Sequence, residues 1–189
     1  MREFILYSRL GRTDSKWVNL HDAGRLDIVY ECIVSAFFLS HGLRRDVRFH
    51  AVLNGPPCPP VRIVLDGSTL HDVRTDQQTW TAILRKVLSG KPHPGVAVDR
   101  LSFEALVKSR AGQRRIYVLE EDGRDVGEVL LGEDAIFVLG DHIGLPRTVE
   151  KFVLRYGEKI SLGKIPYLAA HCITILNYRM DGVARNSAV

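Results

Sequence analysis

Cysteine is scarce in this chain, and it is unpatterned. Cys32, Cys58 and Cys172 are three, an odd number set far apart, with no CxxC and no Cys/His spacing suited to a metal. A disulfide framework is excluded on that count, and a reduced, cytoplasmic protein is the expectation. Long apolar runs are also missing. No eighteen consecutive apolar residues occur, so no membrane span is expected. The opening MREFILYSRLGR is charged too soon for a signal peptide and reads as a first strand. No GxGxxG follows that strand, no GxxxxGK[ST] occurs and no GxSxG occurs. Dinucleotide, P-loop and serine-hydrolase sites are thereby disfavoured. The seven histidines show no HxH or HxxxH spacing, and no metal site is expected.

What is present fits one globular domain over 1–189. The composition is 46% hydrophobic and 25% charged, ordinary for a protein with a sizeable core. Net charge is +4, which permits a polyanionic partner such as RNA and equally permits a plain solvated surface.

Periodicity predicts the elements. Glu3–Tyr7 reads as a strand and Ser8–Gly24 as irregular. A helix follows in LDIVYECIVSAFFLSHG, with Asp27 at its cap or first turn and Gly42 at its stop. Asp46–Leu53 and Val61–Leu65 read as strands joined by GPPCPP, whose prolines fix φ and remove backbone donors. TDQQTWTAILRKVLSG is a second helix, capped by Thr75 or Asp76, with Trp80, Ile83, Leu84 and Val87 on its apolar face. KPHPG is a rigid turn, and a short helix is expected near Ser102–Lys108. Strand RRIYVLEEDG, strand Ile136–Leu139, helix Thr148–Tyr156, strand Lys159–Leu162 and helix Tyr167–Met180 complete the chain. Strands alternating with helices predict an α/β protein with a largely parallel sheet. YLAAHCITILNY, in the last helix, has no acidic or lysine residue over twelve positions, so it needs cover on most sides. A second copy of the chain is the expected cover, giving a homodimer through this helix.

Three strand ends share one character: YVLEEDG, FVLGDHIGLP and ISLGKIPYLAAHC. In parallel α/β sheets ligands gather at the carboxyl ends of strands, so a shared pocket is expected there. Ordinary βα turns would look the same. Cys172 beside His171 is not a nucleophile and base, because neighbours on a helix point about 100° apart. Taken alone, Cys172 reads as a small buried hydrophobe.

FVLGDHIGLP followed by a helix and SLGKIPYLAAHCITILN resembles the cofactor half of the SPOUT methyltransferases. AGRLDIVYECIVSAFFLSHGLRRDVRFHAVLNGPPCPPVRIVLDGSTL is similar to the archaeal tRNA pseudouridine(54) N1-methyltransferases within that superfamily, and the resemblance runs from Met1 to about Met180. It implies a SPOUT α/β knot, with a C-terminal trefoil knot and cofactor site at roughly 113–180, and a homodimer. It also implies S-adenosyl-L-methionine as cofactor and methylation of N1 of pseudouridine 54 in tRNA. A ribosomal-RNA pseudouridine N1-methyltransferase and a non-catalytic RNA-binding dimer of the same fold are the alternatives. Periodicity alone would propose no knot.

On that resemblance, Leu119, Gly140 and Cys172 line the cofactor pocket, and Ser161, Leu162 and Gly163 close around it. Gly140 would be the point where adenosine meets the backbone. The target N1–H is weakly acidic, so a base is sought among Asp27, Asp66 and Asp141, with Arg25 or Arg44 neutralising charge on the uracil carbonyls. Asp27 is equally explained as a helix-start residue and Asp66 as a turn residue. Arg25, Arg44, Arg45, Arg48, Arg110, Arg114 and Arg115 are the expected RNA contacts, against a reading as solubilising charge. His142 is expected to be a loop or interface contact.

Overall fold

The computed structural model describes the backbone of residues 1–186 and the side chains of residues 1–182. The last three residues of the expected 1–189 domain lie outside the described ones. Nine strands and five helices occur there: β1 Arg2–Ser8, α1 Leu26–Phe37, β2 Phe38–Leu39, β3 Gly42–Leu43, β4 Val47–Leu53, β5 Val61–Asp66, α2 Gln77–Leu88, β6 Val96–Asp99, α3 Phe103–Arg110, β7 Ile116–Asp125, β8 Ile136–Gly140, α4 Arg147–Val153, β9 Gly157–Ser161 and α5 Ala169–Asn186.

Seven strands form one sheet in the order β6-β5-β4-β1-β8-β7-β9. The pairs β1–β4, β1–β8, β7–β8 and β7–β9 are parallel, whereas β4–β5 and β5–β6 are antiparallel. The near-continuous apolar runs of β1 and β8 are buried on both faces, as parallel strands under two helical layers must be. On one face Phe4, Leu6, Phe49, Ile63, Tyr117 and Phe137 pack under α1, α2 and α5. On the other, Ile5, Val52, Val118, Ile136 and Val138 pack under α3 and α4.

Differences from expectation are local. Helix α1 stops at Phe37, and Gly42 lies in β3 of a two-stranded hairpin, because the chain turns out at Phe38 in extended conformation. Strand β6, after the expected KPHPG turn, was not legible: its four residues are mostly exposed and lie at the sheet edge. The N-cap of α1 is Arg25, in left-handed conformation at φ 67, with Asp27 in the first turn. Asp76 caps α2 by accepting the Thr79 N–H at 2.8 Å.

The last helix is less uniformly apolar than its sequence suggests. Ala170, Ile173, Leu176 and Met180 are buried, and α5 lies against α1. Asn177 joins that buried face because its side-chain amide donates to the Ser35 and Ala36 carbonyls at 3.0 and 3.3 Å, satisfying acceptors at the end of α1. His171, Thr174, Tyr178 and Arg179 face outward. Among the described residues the chain therefore covers one side of α5 by itself and leaves the other exposed.

Candidate functional site

Three neighbouring parallel strands, β8, β7 and β9, end together, and their carboxyl ends open into a cavity of about 590 Å³. Leu119, Glu120 and Glu121 line it from β7, Leu139 through Leu145 from the end of β8, and Ile160 through Gly163 from the end of β9. Ile165 through Ala170 and Cys172 form the opposite wall, with Arg25, Ile28 and Glu31 at the start of α1. All six residues expected at a cofactor, namely Leu119, Gly140, Ser161, Leu162, Gly163 and Cys172, line this one cavity. The three strand ends that look alike in sequence are thus brought together.

Local chemistry holds the loops. The Asp141 carboxylate is buried and accepts the Arg9 N–H at 2.7 Å and the Ile143 N–H at 3.0 Å. The Gly144 N–H returns to the Asp141 carbonyl at 2.9 Å. Asp141 is therefore a loop anchor whose acceptors are engaged, and the structure corrects its reading as a base. This tight return explains Gly140. A Cβ there would lie 2.5 to 2.6 Å from Gly144 and Leu145 backbone atoms. The glycine makes room for its own loop first, a reason different from the expected approach of a ligand. At the β9 end Ser161 Oγ accepts the Gly163 N–H at 3.1 Å and sits 3.0 Å from its carbonyl, and Gly163 takes φ +108, a region that favours glycine.

Cys172 is partly buried and its Sγ points at the Tyr167 carbonyl at 3.7 Å. Burial pushes its thiol up to about 11, so it is a neutral thiol at pH 7 and no nucleophile. Asp27 is buried enough for desolvation to raise its pKa, yet the Arg25 guanidinium more than reverses this and holds it below the ordinary value. Arg25 donates from Nε at 3.0 and 3.1 Å and from Nη2 at 2.9 Å to that carboxylate. Arg25, on the cavity wall, keeps a left-handed backbone that costs an L-residue about 1–2 kcal/mol. His142 also lines the cavity; its Nδ1 is 3.8 Å from Asp141, too far for a hydrogen bond.

Asp66 is elsewhere. It ends β5, which runs antiparallel to β4, so it lies at the opposite end of the sheet, beside the start of β4. There it accepts from Arg48 and from the Ser68 N–H at 3.0 Å, and it lines a second cleft. Within the chain this removes Asp66 from the candidate bases and makes it a turn and ion-pair residue.

Several expected RNA contacts are engaged internally. Arg44 donates to both Asp181 oxygens at 2.6 and 2.8 Å, and Arg45 to the Gly67 and Leu70 carbonyls at 3.0 and 2.8 Å. Arg114 donates to buried Glu3 at 2.6 Å. Arg115 is exposed. Arg44 lies in the Arg2–Asp46–Asp181 network, away from the cavity, which corrects its reading as a neutraliser of uracil charge. Residues not singled out from sequence also line the cavity, Glu120 and Glu121 above all. Burial, with Glu150 nearby, holds the Glu120 carboxyl above its ordinary value. Their signal was the pair of carboxylates ending the apolar strand YVLEEDG.

The sequence model of a family described as "Putative SAM-dependent RNA methyltransferase" matches residues 1–184. The chain belongs to this family. Among its curated relatives, the tRNA (pseudouridine(54)-N(1))-methyltransferase of Methanopyrus kandleri is 38% identical over 96% of this chain and 93% of that protein. The one from Methanocaldococcus jannaschii is 38% identical over 96% and 97%. In fold, the chain is similar to the crystal structure of Archaeoglobus fulgidus Nep1 bound to S-adenosylhomocysteine. That match has a TM-score of 0.72 and 11% identity, and it covers 97% of this chain and 98% of that one. That likeness extends over the mostly parallel seven-stranded sheet described above. Its SPOUT-type α/β character was the expectation from sequence.

Proposed function

We propose that this chain transfers a methyl group from S-adenosylmethionine to N1 of pseudouridine 54 in tRNA. The observation that carries this reading is the near full-length family match, joined to a single cavity that gathers all the residues expected at the cofactor. A volume of about 590 Å³ suits a ligand of that size. Leu119, Leu139, Ile160 and Leu162 offer apolar walls for an adenine ring, and the strand-end loops offer backbone polar groups for its edge. Bound there, S-adenosylmethionine supplies a methyl group already activated for transfer.

The protein's own work is then alignment and charge. The β8 loop, pinned by Asp141, fixes one wall. Cys172 contributes a neutral, polarisable wall atom. Arg25 is held on the cavity wall by Asp27 and can face negative charge developing on a uracil carbonyl. Asp27, ionised and below its ordinary pKa, is a weak base; it orients Arg25 and accepts a proton only with difficulty. Glu120, raised by burial, is the cavity carboxylate better matched to a proton.

The reading also carries a cytoplasmic location, the trefoil knot near 113–180, and a homodimer. Among the described residues no helix is long and apolar enough to cross a membrane. Ile165, Tyr167 and Leu168 beside the cavity, and Tyr178 further along α5, are exposed apolar side chains and support a second copy as their cover. Isothermal titration with S-adenosylmethionine tests the pocket. Binding to the wild-type chain, lost in Leu162→Asp, is expected; no binding at all would overturn the reading.

A further inference from the structure

The sheet's second face is only half covered. Helices α3 and α4 pack on β1, β8 and β7 and reach Val52 near the end of β4, but over β5, β6 and the start of β4 no helix lies among the described residues. Register puts Arg48 opposite Asp66 and His50 opposite Val64, and Arg62 one pair further along, all on this bare face. Together with Ala97 of β6 and Arg110 at the end of α3, they line a second cleft of about 420 Å³.

The cleft is built of charge. Its lining holds three arginines, Arg48, Arg62 and Arg110, against one carboxylate, Asp66, a difference of +2. With the carboxylates that touch them, Glu3 and Asp99, the three arginines are balanced by three anions, so the excess positive charge belongs to the cleft lining alone. Glu3 lies buried beneath, accepting from Arg110 at 2.9 Å and from Arg114 at 2.6 Å. His50 is only 1% exposed, yet neither ring nitrogen has a hydrogen-bond partner among the described residues. Its Nε2 is 3.4 Å from Glu3 without hydrogen-bond geometry. A buried imidazole with neither nitrogen paired, beneath a cleft walled by guanidinium groups, is exceptional. The guanidinium groups around it offer their outward N–H donors to a group with several acceptor oxygens and negative charge.

We propose that this cleft binds a phosphodiester of the RNA substrate, as a second contact remote from the methyl-transfer cavity. The proposal rests on the RNA-methyltransferase reading for the identity of the polyanion. Along β1, Glu3 beside the cleft and Ser8 near the cavity are five residues apart, about 17 Å of strand, so one folded RNA spans both. The arginines are already oriented by carboxylates, and the phosphate would share their outward N–H groups without dissolving those pairs.

The test is tRNA affinity at low salt, by fluorescence anisotropy over a salt series. Ala97 is exposed on the cleft wall and bonds to no side chain, so it carries the charge changes. Ala97→Glu should weaken tRNA binding by about tenfold and Ala97→Lys should strengthen it. Arg62→Gln should lower the salt slope by about one. S-adenosylmethionine affinity should stay at the wild-type value in all three. Unchanged affinity and slope in this set overturn the proposal. So does a cleft that takes inorganic phosphate, seen as shifted His50 ring signals by NMR, while tRNA binding ignores the Ala97 pair. Failure of the wild-type chain to methylate any tRNA would sink the functional reading instead, and RNA affinity would still decide the cleft.

Discussion

Replacing Gly140 by alanine probes the cavity wall at its tightest point. The added Cβ would stand 2.5 Å from the Gly144 carbonyl carbon and 2.6 Å from Leu145 N, and all the close atoms are backbone. No side chain can rotate aside, so the 141–145 loop must retreat by about 1 Å to reach ordinary contact. That retreat strains the Gly144-to-Asp141 bond of 2.9 Å and the Ile143-to-Asp141 bond of 3.0 Å. Overpacking of this kind costs about 1–3 kcal/mol. In a chain of this size each kcal/mol lowers the melting temperature by about 2–4 °C. If the loss falls on the ligand-binding arrangement, it weakens S-adenosylmethionine about 5- to 150-fold. Calorimetric affinity and melting temperature, measured together, are the assay. Gly42→Ala is the control: nothing lies within 4 Å of its Cβ and its φ is not positive. Wild-type affinity and melting temperature in Gly140→Ala would refute the described closure of the loop.

Other outcomes follow from the same geometry. Cys172→Ala should keep turnover within a few fold, because a thiol at about 11 is no nucleophile at pH 7, and iodoacetamide should label exposed Cys58 long before Cys172 or buried Cys32. Burial pushes the Glu3 carboxyl up, but His50 and Arg110 reverse this and bring it down to about 2. Its stabilisation is therefore full above about pH 4.5 and is lost as pH falls toward 2, with an upper figure of about 3 kcal/mol because burial keeps His50 neutral at pH 7. Glu3→Gln should lower the melting temperature at pH 7 and flatten the acid limb of a pH–stability curve. Tyr178 is 78% exposed on the outward side of α5, so in the proposed homodimer Tyr178→Glu should leave the monomer folded and shift sedimentation from dimer to monomer.

Much of the scaffold was legible because its strands are short apolar runs and its helices carry clear caps and apolar faces. Val47–Leu53 and Val61–Asp66 pair across the proline turn as their pattern suggested. The meeting of the three strand-end loops followed from parallel strands ending on one side, whereas Leu119, Gly140, Leu162 and Cys172 as its lining came from the family resemblance. Other features depend on contacts far apart in sequence. Arg44 meets Asp181 across 137 positions and Arg114 meets Glu3 across 111, and no local pattern marks either arginine as internal. Asp66 looked like a candidate base until the antiparallel turn of β5 carried it to the other end of the sheet. Strand β6 is an exposed edge whose residues have no strong alternation to read. Glu120 and Glu121 were visible as a pair, but only the strand end beside them shows that they face the cavity.

The central claim is best met by offering the purified protein S-adenosylmethionine carrying a labelled methyl group and two tRNA preparations, one with pseudouridine and one with uridine at position 54. Nucleoside mass spectrometry then reads the product. The account predicts N1-methylpseudouridine from the first tRNA and no methylated uridine from the second. Label on any other nucleoside, equal label in both, or none in either would contradict it.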